Sequence, residues 1–343
     1  MRIAIYGAGA MGTVLGAFLT EGGQSVDLIS RNQAHVEGMR MGGATVRCVA
    51  DGLEKNVQVS ALLPEEMTGK YDVVFLMTKQ RENEEILRFL KDYLTEDGIV
   101  CTTQNGLPEK TVAHVLGKEK AYGAAVSFGA SFVGEGVMEL TSSLSAMSML
   151  CGGYQNDNAK NGLLQSILQK AGAVSGNPDF VKTTDNLAGA RWSKLAINAA
   201  FSTLSTITGL TFGEVAKGRK TKKLALAILR EAFAVAKASG VTLEPVQGHK
   251  IEKLFGGRGF FKTQLAYALL PIAMKKHKLL KSSMLTDLAK GKKCDVDFVC
   301  GALVSAGKEV GVETPVAEAA LDMVHGIENG LYEITPQNAD FLL

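Results

Sequence analysis

The sequence predicts an α/β fold, in which an N-terminal domain built on a parallel sheet precedes an all-α C-terminal domain. Three observations support this prediction. Apolar runs typical of strands alternate with helical stretches through the first half of the chain, and a glycine-rich turn directly follows the first run. From about residue 184 onward, long helical periodicities with few β-branched runs replace this alternation. We therefore expect one domain over residues 1–180 and a second over residues 181–343.

The elements of the first domain follow from the length and spacing of its apolar runs. The runs "RIAIYG", "SVDLIS", "DVVFLMTK" and "GIVCTTQN" predict strands, and helices are expected from residue 10 to about residue 21 and near residues 82–93. Strands separated by helices of this length indicate βαβ units and a parallel sheet. Between residues 122 and 150, short glycine-broken pieces predict hairpins or edge strands that close the domain.

The second domain is predicted from helices that end at glycine and proline. The stretches "EAFAVAKASGVTLEP" and "GALVSAGKEVGVETP" each indicate an apolar helix closed by a glycine, with a proline shortly after it. Their likeness reflects either ordinary helix termination or an ancestral repeat. The glycine-rich segment "KLFGGRGFFKTQ", with its paired aromatic residues, predicts a loop or hinge between helices.

The composition is that of an ordinary globular protein and restricts the class of partner. The 343 residues are 46% hydrophobic and 21% charged, and 37 basic against 35 acidic residues leave a formal net charge of +2. This balance argues against a nucleic-acid binder and against a polybasic membrane anchor. No uninterrupted apolar window is long enough for a membrane span. We expect neither nucleic acid nor a membrane as a partner.

Cysteine and histidine usage predicts a cytoplasmic protein without a metal site. The five cysteines are odd in number and lack CxxC spacing, and no secretory leader is expected before the first strand, so we expect reduced thiols. The five histidines show no metal-ligand spacing. We expect most of these histidines at surface or loop positions.

The turn "GAGAMG" predicts a dinucleotide site. Gly7, Gly9 and Gly12 have G-x-G-x-x-G spacing after a strand and at the start of a helix, which is typical of a Rossmann-type domain. The first glycine permits the tight turn, the second lets a pyrophosphate approach the backbone, and the third lets helix and strand pack closely. The alternative is a glycine-rich turn without a ligand. We expect the cofactor to be bound by Gly7, Ala8, Gly9, Ala10, Met11 and Gly12.

The end of the second strand predicts NADP rather than NAD. An NAD site usually carries Asp or Glu there to hold the ribose 2′-hydroxyl. Here Ser30, Arg31 and Asn32 occupy that place, and Asp27 lies too early in the strand. An arginine can bind a 2′-phosphate through two parallel hydrogen bonds. The alternative is that Arg31 is merely solvated.

A lysine lies inside the apolar helix predicted over "RWSKLAINAAFSTLSTITG". Lys194, Asn198 and Ser202 follow one another in steps of four, which places an amine, an amide and a hydroxyl on one helical face. Such a lysine either extends its amine to the surface or pairs with a buried carboxylate. Beside a nicotinamide it has a third role, because it can protonate a carbonyl oxygen as hydride reaches the carbon.

With these residues in place, the chain resembles the ketopantoate reductase family over nearly its whole length. The matching pieces occur in the right order: "GAGAMG", Arg31, "MTK" ending at Lys79, "QNG" with Asn105, "RWSKLAIN", and "SSMLTDLAKGKKCDVD" near residues 282–297. The resemblance implies that Lys194 is the general acid and that Asn198 binds the substrate.

The resemblance implies further site residues. Asn105 would contact the cofactor near its nicotinamide end, and Lys79 would lie close to cofactor and substrate. Both follow predicted strands at their carboxyl ends, where ligands bind in open α/β sheets, although an ordinary turn also explains Asn105. Ser283 would contact the substrate carboxylate with Asp287 near it, whereas Ser282 has equal claim to be a helix N-cap.

Four features depart from the family pattern. Asp295 stands where a catalytic glutamate is usual, one methylene shorter, and Asp297 is a weaker candidate for the same role. Ser202 and Thr203 replace an asparagine-proline pair. Phe212 replaces a substrate-contacting asparagine, and losing that hydrogen-bonding group weakens the case for ketopantoate itself. The segment over residues 251–281 is also longer than is typical of the family.

The resulting expectation is NADPH-dependent reduction of a 2-keto acid to the D-2-hydroxy acid, with Lys194 and Asp295 catalytic. Ketopantoate is the favoured substrate, and Asn198, Ser202, Ser283 and Asp287 would bind it. The alternatives are a more apolar 2-keto acid, an opine-type dehydrogenase reaction, or a non-catalytic NADPH-binding protein. The enzyme would act as a monomer or homodimer.

Overall fold

The structure is a computed structural model that describes residues 1–246 and 248–342. The chain divides into two compact units. The first comprises Met1–Gln104 and Pro108–Leu187, and the second comprises Asn105–Leu107 and Ala188–Leu343. A strand over Val181–Thr183 pairs within the sheet of the first unit, so the observed division lies a few residues beyond residue 180. The fold class expected from the sequence, a Rossmann-type domain followed by a helical one, is confirmed.

Within the described residues the first unit contains all twelve strands and five helices. The strands are β1 Ile3–Tyr6, β2 Val26–Ile29, β3 Ala44–Cys48, β4 Leu53–Val57, β5 Ser60–Leu62, β6 Tyr71–Leu76, β7 Leu94–Thr102, β8 Ala121–Val126, β9 Ala130–Gly134, β10 Val137–Leu140, β11 Met149–Gly153 and β12 Val181–Thr183. The helices are α1 Ala10–Glu21, α2 Gln33–Gly42, α3 Asn83–Lys91, α4 Glu109–Leu116 and α5 Asn161–Ser175.

The main sheet has eight strands in the order β12-β11-β8-β7-β6-β1-β2-β5. Its pairs are parallel except for β8 with β11. The chain moves from β1 to β2 on one side and later returns to β6 on the other, so the order reverses beside β1. Ligands of open α/β sheets bind at such a reversal, beyond the carboxyl ends of the strands.

The hairpin expected between residues 122 and 150 is present as β9–β10. The pieces β8 and β11 do extend the main sheet, but the hairpin β9–β10 joins β3 and β4 in a separate sheet of order β4-β3-β10-β9. A short β-prone piece does not specify its partner strand, because pairing across long sequence separations depends on tertiary packing.

Both faces of the main sheet are covered, which explains why its strands are continuous apolar runs. All four residues of β1 are buried, and they alternate between two cores: Ile3 and Ile5 face one side, and Ala4 and Tyr6 face the other. The first core includes side chains of α1 and α5, and the second includes side chains of α3 and α4. This packing holds the carboxyl end of β1 in place.

The second unit is helical and has a single core. Its helices are α6 Leu187–Ile197, α7 Thr203–Thr208, α8 Phe212–Lys217, α9 Thr221–Ala238, α10 Ile251–Phe255, α11 Phe260–Ala273, α12 Ser283–Ala289, α13 Val296–Val310 and α14 Pro315–Glu328. The core draws side chains from nearly all of them. The segment expected to be a loop or hinge is thus partly helical, because α11 begins at Phe260.

All five cysteines are free thiols, and each is buried. Of the helices in residues 1–246 and 248–342, none combines the length and apolarity that a bilayer crossing needs.

Candidate active site

The conformation of the loop Gly7–Gly12 requires glycine at two positions, where no side chain would fit. Gly7 has φ +100°, and a Cβ atom there would lie 2.6 Å from the backbone nitrogen of Thr78, just after β6. A Cβ atom at Gly12 would lie 2.5 Å from the carbonyl oxygen of Gly7. Both glycines are therefore required by the close packing of the strand, the loop and α1.

Gly9 differs from its two neighbours, because a Cβ atom there would meet nothing within 4 Å. Gly9 is the N-cap of α1 and supplies no side chain to the helix terminus. The open space therefore lies in front of backbone N–H groups that have no partner within the helix. Ala10 and Met11 belong to this first turn, and Ala8 is buried behind it. A pyrophosphate fits such a place, and so the residues present fit a nicotinamide dinucleotide.

Arg31 lies directly after β2, and its guanidinium is engaged. Its Nη1 is 2.6 Å from Oε2 of Glu82, and the arginine side chain remains 66% exposed. Ser30 accepts a hydrogen bond from the backbone of Asn32 over 3.3 Å, and Asn32 caps α2. The sequence analysis missed Glu82, which lies far from Arg31 along the chain and in no motif. A 2′-phosphate bound by Arg31 would compete with this carboxylate.

A second group missed from the sequence holds the ends of β6 and β7 together. Gln104, which follows β7, donates from Nε2 to the carbonyl oxygen of Thr78 over 2.8 Å. Its amide also exchanges two hydrogen bonds with the amide of Asn83, over 2.7 and 2.9 Å. These buried bonds fix the backbone just before Lys79, whose side chain is exposed. Amide pairs of this kind leave no short sequence signature.

Asn105 begins a short turn that belongs to the second unit. The turn continues through Gly106, which has φ +86°, and Leu107, whose side chain packs against the core of that unit. The positive φ favours glycine and accounts for the Asn-Gly pair as a turn. The turn geometry and the expected cofactor role of Asn105 are therefore compatible.

Four of the five histidines are exposed or half-buried, as expected of most of them, whereas His35 is buried on α2. Its Nδ1 accepts the backbone N–H of Gly136 over 3.0 Å, which assigns the ring proton to Nε2. Nε2 is 3.0 Å from Oγ1 of Thr13, and that hydroxyl donates to the carbonyl oxygen of Ala8. Burial lowers the pKa of His35. A neutral imidazole thus links α2 to the glycine loop.

The helix that carries Lys194 is interrupted at the predicted polar residues. A π-helical turn over Asn198–Ser202 separates α6 from α7. Lys194 lies in the last turn of α6, and Asn198 and Ser202 are the first and last residues of the π-helical turn. All three residues are half-buried, so the predicted polar stripe continues from α6 into this turn. Turns of this kind are rare and frequently occur at functional sites.

Lys194 lies in an environment that favours its neutral form. Burial, and then the charge of Arg191 three residues earlier, lower the pKa of Lys194 to about 7. Arg191 is itself only 2% exposed. Near neutral pH such an amine can both donate and accept a proton, as general acid–base catalysis requires.

The structure distinguishes the two serines at the start of α12. Ser282 is buried and is the N-cap, because its Oγ accepts the backbone N–H of Met284 over 3.2 Å, while its own N–H donates to Ser205. Ser283 is exposed in the first turn, and Asp287 is half-buried one turn further along. Ser282 thus has a structural role, and Ser283 is available to a ligand.

The carboxylates before and within α13 also differ. Asp295 occupies the N-cap position of α13, is half-buried, and does not cap the helix with its side chain. Asp297 lies 2.8 Å from Nε2 of His325 on α14. This bond gives Asp297 a structural partner on α14.

Phe212, the residue that departs most from the family pattern, is the first residue of α8. Its ring centroid is 6.0 Å from that of Phe201, which belongs to the π-helical turn. Its backbone N–H donates to Leu280 over 2.9 Å. Phe201 and Ile197 also line a cavity of about 110 Å³ within the second unit, whose other walls are largely apolar. The side of this helical segment that carries Ile197 and Phe201 is thus apolar.

Comparison with known proteins agrees with this arrangement. The family model "Ketopantoate reductase PanE/ApbA" matches residues 3–149, and the model of its C-terminal domain matches residues 186–328. The 2-dehydropantoate 2-reductase of Archaeoglobus fulgidus is 24% identical, with 96% of this chain and 99% of the relative covered.

Solved structures are similar over the same extent. The ketopantoate reductase of the PanE/ApbA family from Ralstonia eutropha is 26% identical, with TM-score 0.78 and coverage of 96% of this chain and 99% of that one. A D-mandelate dehydrogenase bound to NADH and anilino(oxo)acetate has TM-score 0.80 at 24% identity, with coverage of 96% and 99%, and shows the fold alone. The two matched models span most of the chain, which therefore belongs to the ketopantoate reductase family of NADP-dependent oxidoreductases acting on 2-keto acids.

Proposed function

We propose that this protein reduces ketopantoate to D-pantoate, its 2-hydroxy acid, with NADPH as the hydride source. The observation that carries the proposal is the position of Lys194 at the end of α6, one turn before Asn198 and three residues after the buried Arg191. In this position burial and the charge of Arg191 lower the pKa of Lys194 to about 7. A buried amine with such a pKa matches the task of a general acid near neutral pH. The proposal assigns the cofactor to the first unit and the proton donor to the second.

The chemistry requires one hydride and one proton. NADPH, when bound, supplies the hydride to the C2 carbon of the keto acid. Lys194 donates the proton from Nζ to the carbonyl oxygen, so that the C=O double bond becomes a CH–OH group and the amine is left neutral. The positive charge of Lys194 also stabilises the oxygen as negative charge develops on it.

The remaining residues are assigned to binding and orientation. Asn198 and Ser202 would donate hydrogen bonds to the substrate, and Ser283, near Asp287, would bind its carboxylate. Asp295 would accept a hydrogen bond from Lys194 or from the substrate hydroxyl. The exposure of Ser283 and the half-burial of Asp295 support these assignments, because both side chains can still meet a ligand.

On the first unit, the loop Gly7–Gly12 would hold the pyrophosphate. Arg31 would hold the 2′-phosphate after leaving Glu82, with Lys79 and Asn105 nearer the nicotinamide. The lack of an acidic side chain after β2 supports NADPH over NADH.

The direct test is an assay of NADPH oxidation with ketopantoate and a panel of other 2-keto acids. We expect the highest kcat/KM with ketopantoate and NADPH, and the product should be the D-enantiomer. Tight NADPH binding without turnover of any keto acid would contradict the proposal and indicate a binding protein. A requirement for an added amine would indicate opine-type chemistry instead.

The surroundings of Phe212 favour a second candidate substrate, a 2-keto acid with a bulkier apolar side chain. The ring of Phe212 lies beside Phe201, and the nearby cavity is largely apolar. The Phe212→Asn variant separates the two substrates, because the added amide can pair with a substrate hydroxyl. If ketopantoate is the substrate already, the variant should change its kcat/KM by less than threefold. A gain of tenfold or more for ketopantoate over apolar acids would favour the second candidate.

A further inference from the structure

His35 connects two parts of the first unit that are distant along the chain. The backbone N–H of Gly136, in the turn between β9 and β10, donates to Nδ1 of His35. Nε2 of the same ring donates to the hydroxyl of Thr13, which donates in turn to the carbonyl oxygen of Ala8 over 3.3 Å. Because a backbone N–H only donates and a carbonyl only accepts, the direction of every bond in this series is fixed.

The series is removed from water along its length. His35 is 1% exposed, and Thr13 and Ala8 are 0% exposed. The ring of Phe132 also meets the imidazole edge-on, with ring centroids 5.2 Å apart. Both ring nitrogens are occupied by these bonds, so the imidazole is placed to hold structure rather than to meet a ligand. Removing one partner would leave the next group buried and unsatisfied.

The last bond of the series holds the peptide that precedes the proposed pyrophosphate site. The carbonyl of Ala8 belongs to the peptide group between Ala8 and Gly9, and Gly9 is the position with open space at the start of α1. Gly7 and Gly9 flank this residue, and glycine leaves a backbone conformationally free. A bond from outside the loop therefore holds the peptide in one orientation and, with it, the N–H groups that follow.

The same residue is attached to the segment that carries Arg31. His35 lies in the first turn of α2, and its backbone N–H donates to Oδ1 of Asn32, the N-cap, over 3.3 Å. Asn32 directly follows Arg31, to which the 2′-phosphate is assigned above. The side chain of His35 thus reaches the glycine loop, while its backbone belongs to the start of α2. It fixes the spacing between these two elements.

We propose that His35, acting through Thr13, is a positioning residue for the cofactor, because it holds the peptide between Ala8 and Gly9 in the orientation that receives the pyrophosphate. The inference rests on the cofactor assignment of the proposed function and deepens it. A preordered loop loses less conformational entropy when its ligand binds. Since NADPH and NADH share the pyrophosphate, loss of the link should weaken both cofactors by the same factor, unlike loss of Arg31.

The first test is a pair of substitutions that separates the two bonds of the imidazole. His35→Asn keeps an acceptor close to the place of Nδ1, but its side chain is too short to reach Thr13. His35→Gln keeps a donor close to the place of Nε2 and gives up the acceptor for Gly136. Each variant loses one buried hydrogen bond, so we expect similar decreases in melting temperature.

Only one variant of this pair should lose cofactor affinity. The dissociation constant for NADPH, from fluorescence titration, should rise about tenfold in His35→Asn, the loss expected for one hydrogen bond to a charged ligand. It should stay within threefold of wild type in His35→Gln. The dissociation constant for NADH should change by the same factor as that for NADPH in each variant, whereas kcat at saturating NADPH should stay within threefold.

Thr13 supplies a second pair that does not alter the histidine. Thr13→Val removes the hydroxyl at nearly constant volume and should weaken both cofactors about tenfold, whereas Thr13→Ser keeps the hydroxyl and should remain within twofold of wild type. The double variant His35→Asn/Thr13→Val should bind no more weakly than Thr13→Val, because both changes break one series. Thr20→Val removes a hydroxyl that bonds to Gly16 near the other end of α1, and this control should bind normally.

The outcomes separate this inference from the proposed function. Normal binding of NADPH by the wild-type protein, together with unchanged affinity in His35→Asn and Thr13→Val, would contradict the inference alone. Equal losses of affinity in His35→Asn and His35→Gln, or losses that multiply in the double variant, would reduce His35 to a general stabiliser of α2. A wild-type protein that binds neither NADPH nor NADH would contradict the proposed function and this inference with it.

Discussion

In the proposed reaction, the glycine loop and helix α6 contribute in opposite ways. At Gly9 the contribution is open space at the start of α1, since a Cβ atom there would meet nothing within 4 Å. On α6 the site is one side chain, whose proton affinity is changed by burial and by the neighbouring charge of Arg191. The glycine loop depends on local backbone geometry, whereas the pKa of Lys194 depends on all the residues that pack around its side chain. The two should therefore respond differently to substitution.

The largest expected effect separates chemistry from cofactor binding. Lys194→Ala removes the proposed proton donor, so kcat should fall by about 10²–10⁴-fold, the usual range for loss of a general acid. The dissociation constant for NADPH, measured by fluorescence titration, should stay within twofold of wild type. Lys237→Ala, an exposed lysine on α9, is the matched control and should leave both quantities unchanged.

The next effect distinguishes two glycines of one loop. Gly9→Val places a side chain in open space, so the melting temperature should stay near wild type while NADPH binding weakens by roughly 100-fold, equivalent to about 2.7 kcal/mol. Gly7→Ala forces a Cβ atom against the backbone at Thr78 with φ +100°, and it should destabilise the fold by about 2 kcal/mol or more. Equal losses of stability in both variants would refute the distinction.

A smaller effect concerns the choice between NADPH and NADH. Arg31→Ala should weaken NADPH binding about tenfold and leave NADH unchanged, because a hydrogen-bonded charge contact contributes about 1.5–3 kcal/mol. Glu82→Gln should tighten NADPH binding two- to threefold, since the carboxylate no longer competes for Arg31. Arg88→Ala breaks an exposed arginine–glutamate pair of the same unit and serves as the control. An unchanged ratio of the two affinities in Arg31→Ala would exclude the 2′-phosphate contact.

The comparison also explains which parts of the molecule could be predicted from its sequence. The strand, loop and helix around Gly7 are continuous in sequence and obey local rules, so β1 and α1 appear as expected. The second sheet was missed because it depends on the pairing of β10 with β3, about 90 residues away. No local pattern encodes such a partner.

The same limit applies to the side chains of the site. Lys194 and Asn198 were predicted from their spacing, but the π-helical turn that begins at Asn198 depends on packing and has no simple signature. His35, Glu82 and Gln104 were missed because their roles arise from partners distant in the chain. Arg191 lowers the pKa of Lys194 because both side chains are removed from water. The sequence pattern of this helix did not reveal that burial.

The pH dependence of kcat/KM tests the central claim most directly, because the claim is that a lysine with a pKa near 7 donates the proton. The protonated amine is the active form, so kcat/KM should fall as the pH rises through about 7. Arg191→Met removes the like charge and should move this falling limb to higher pH, while burial keeps it below the ordinary range of lysine. A falling limb that stays in place in Arg191→Met, or that lies above pH 10 in the wild-type enzyme, would contradict the account.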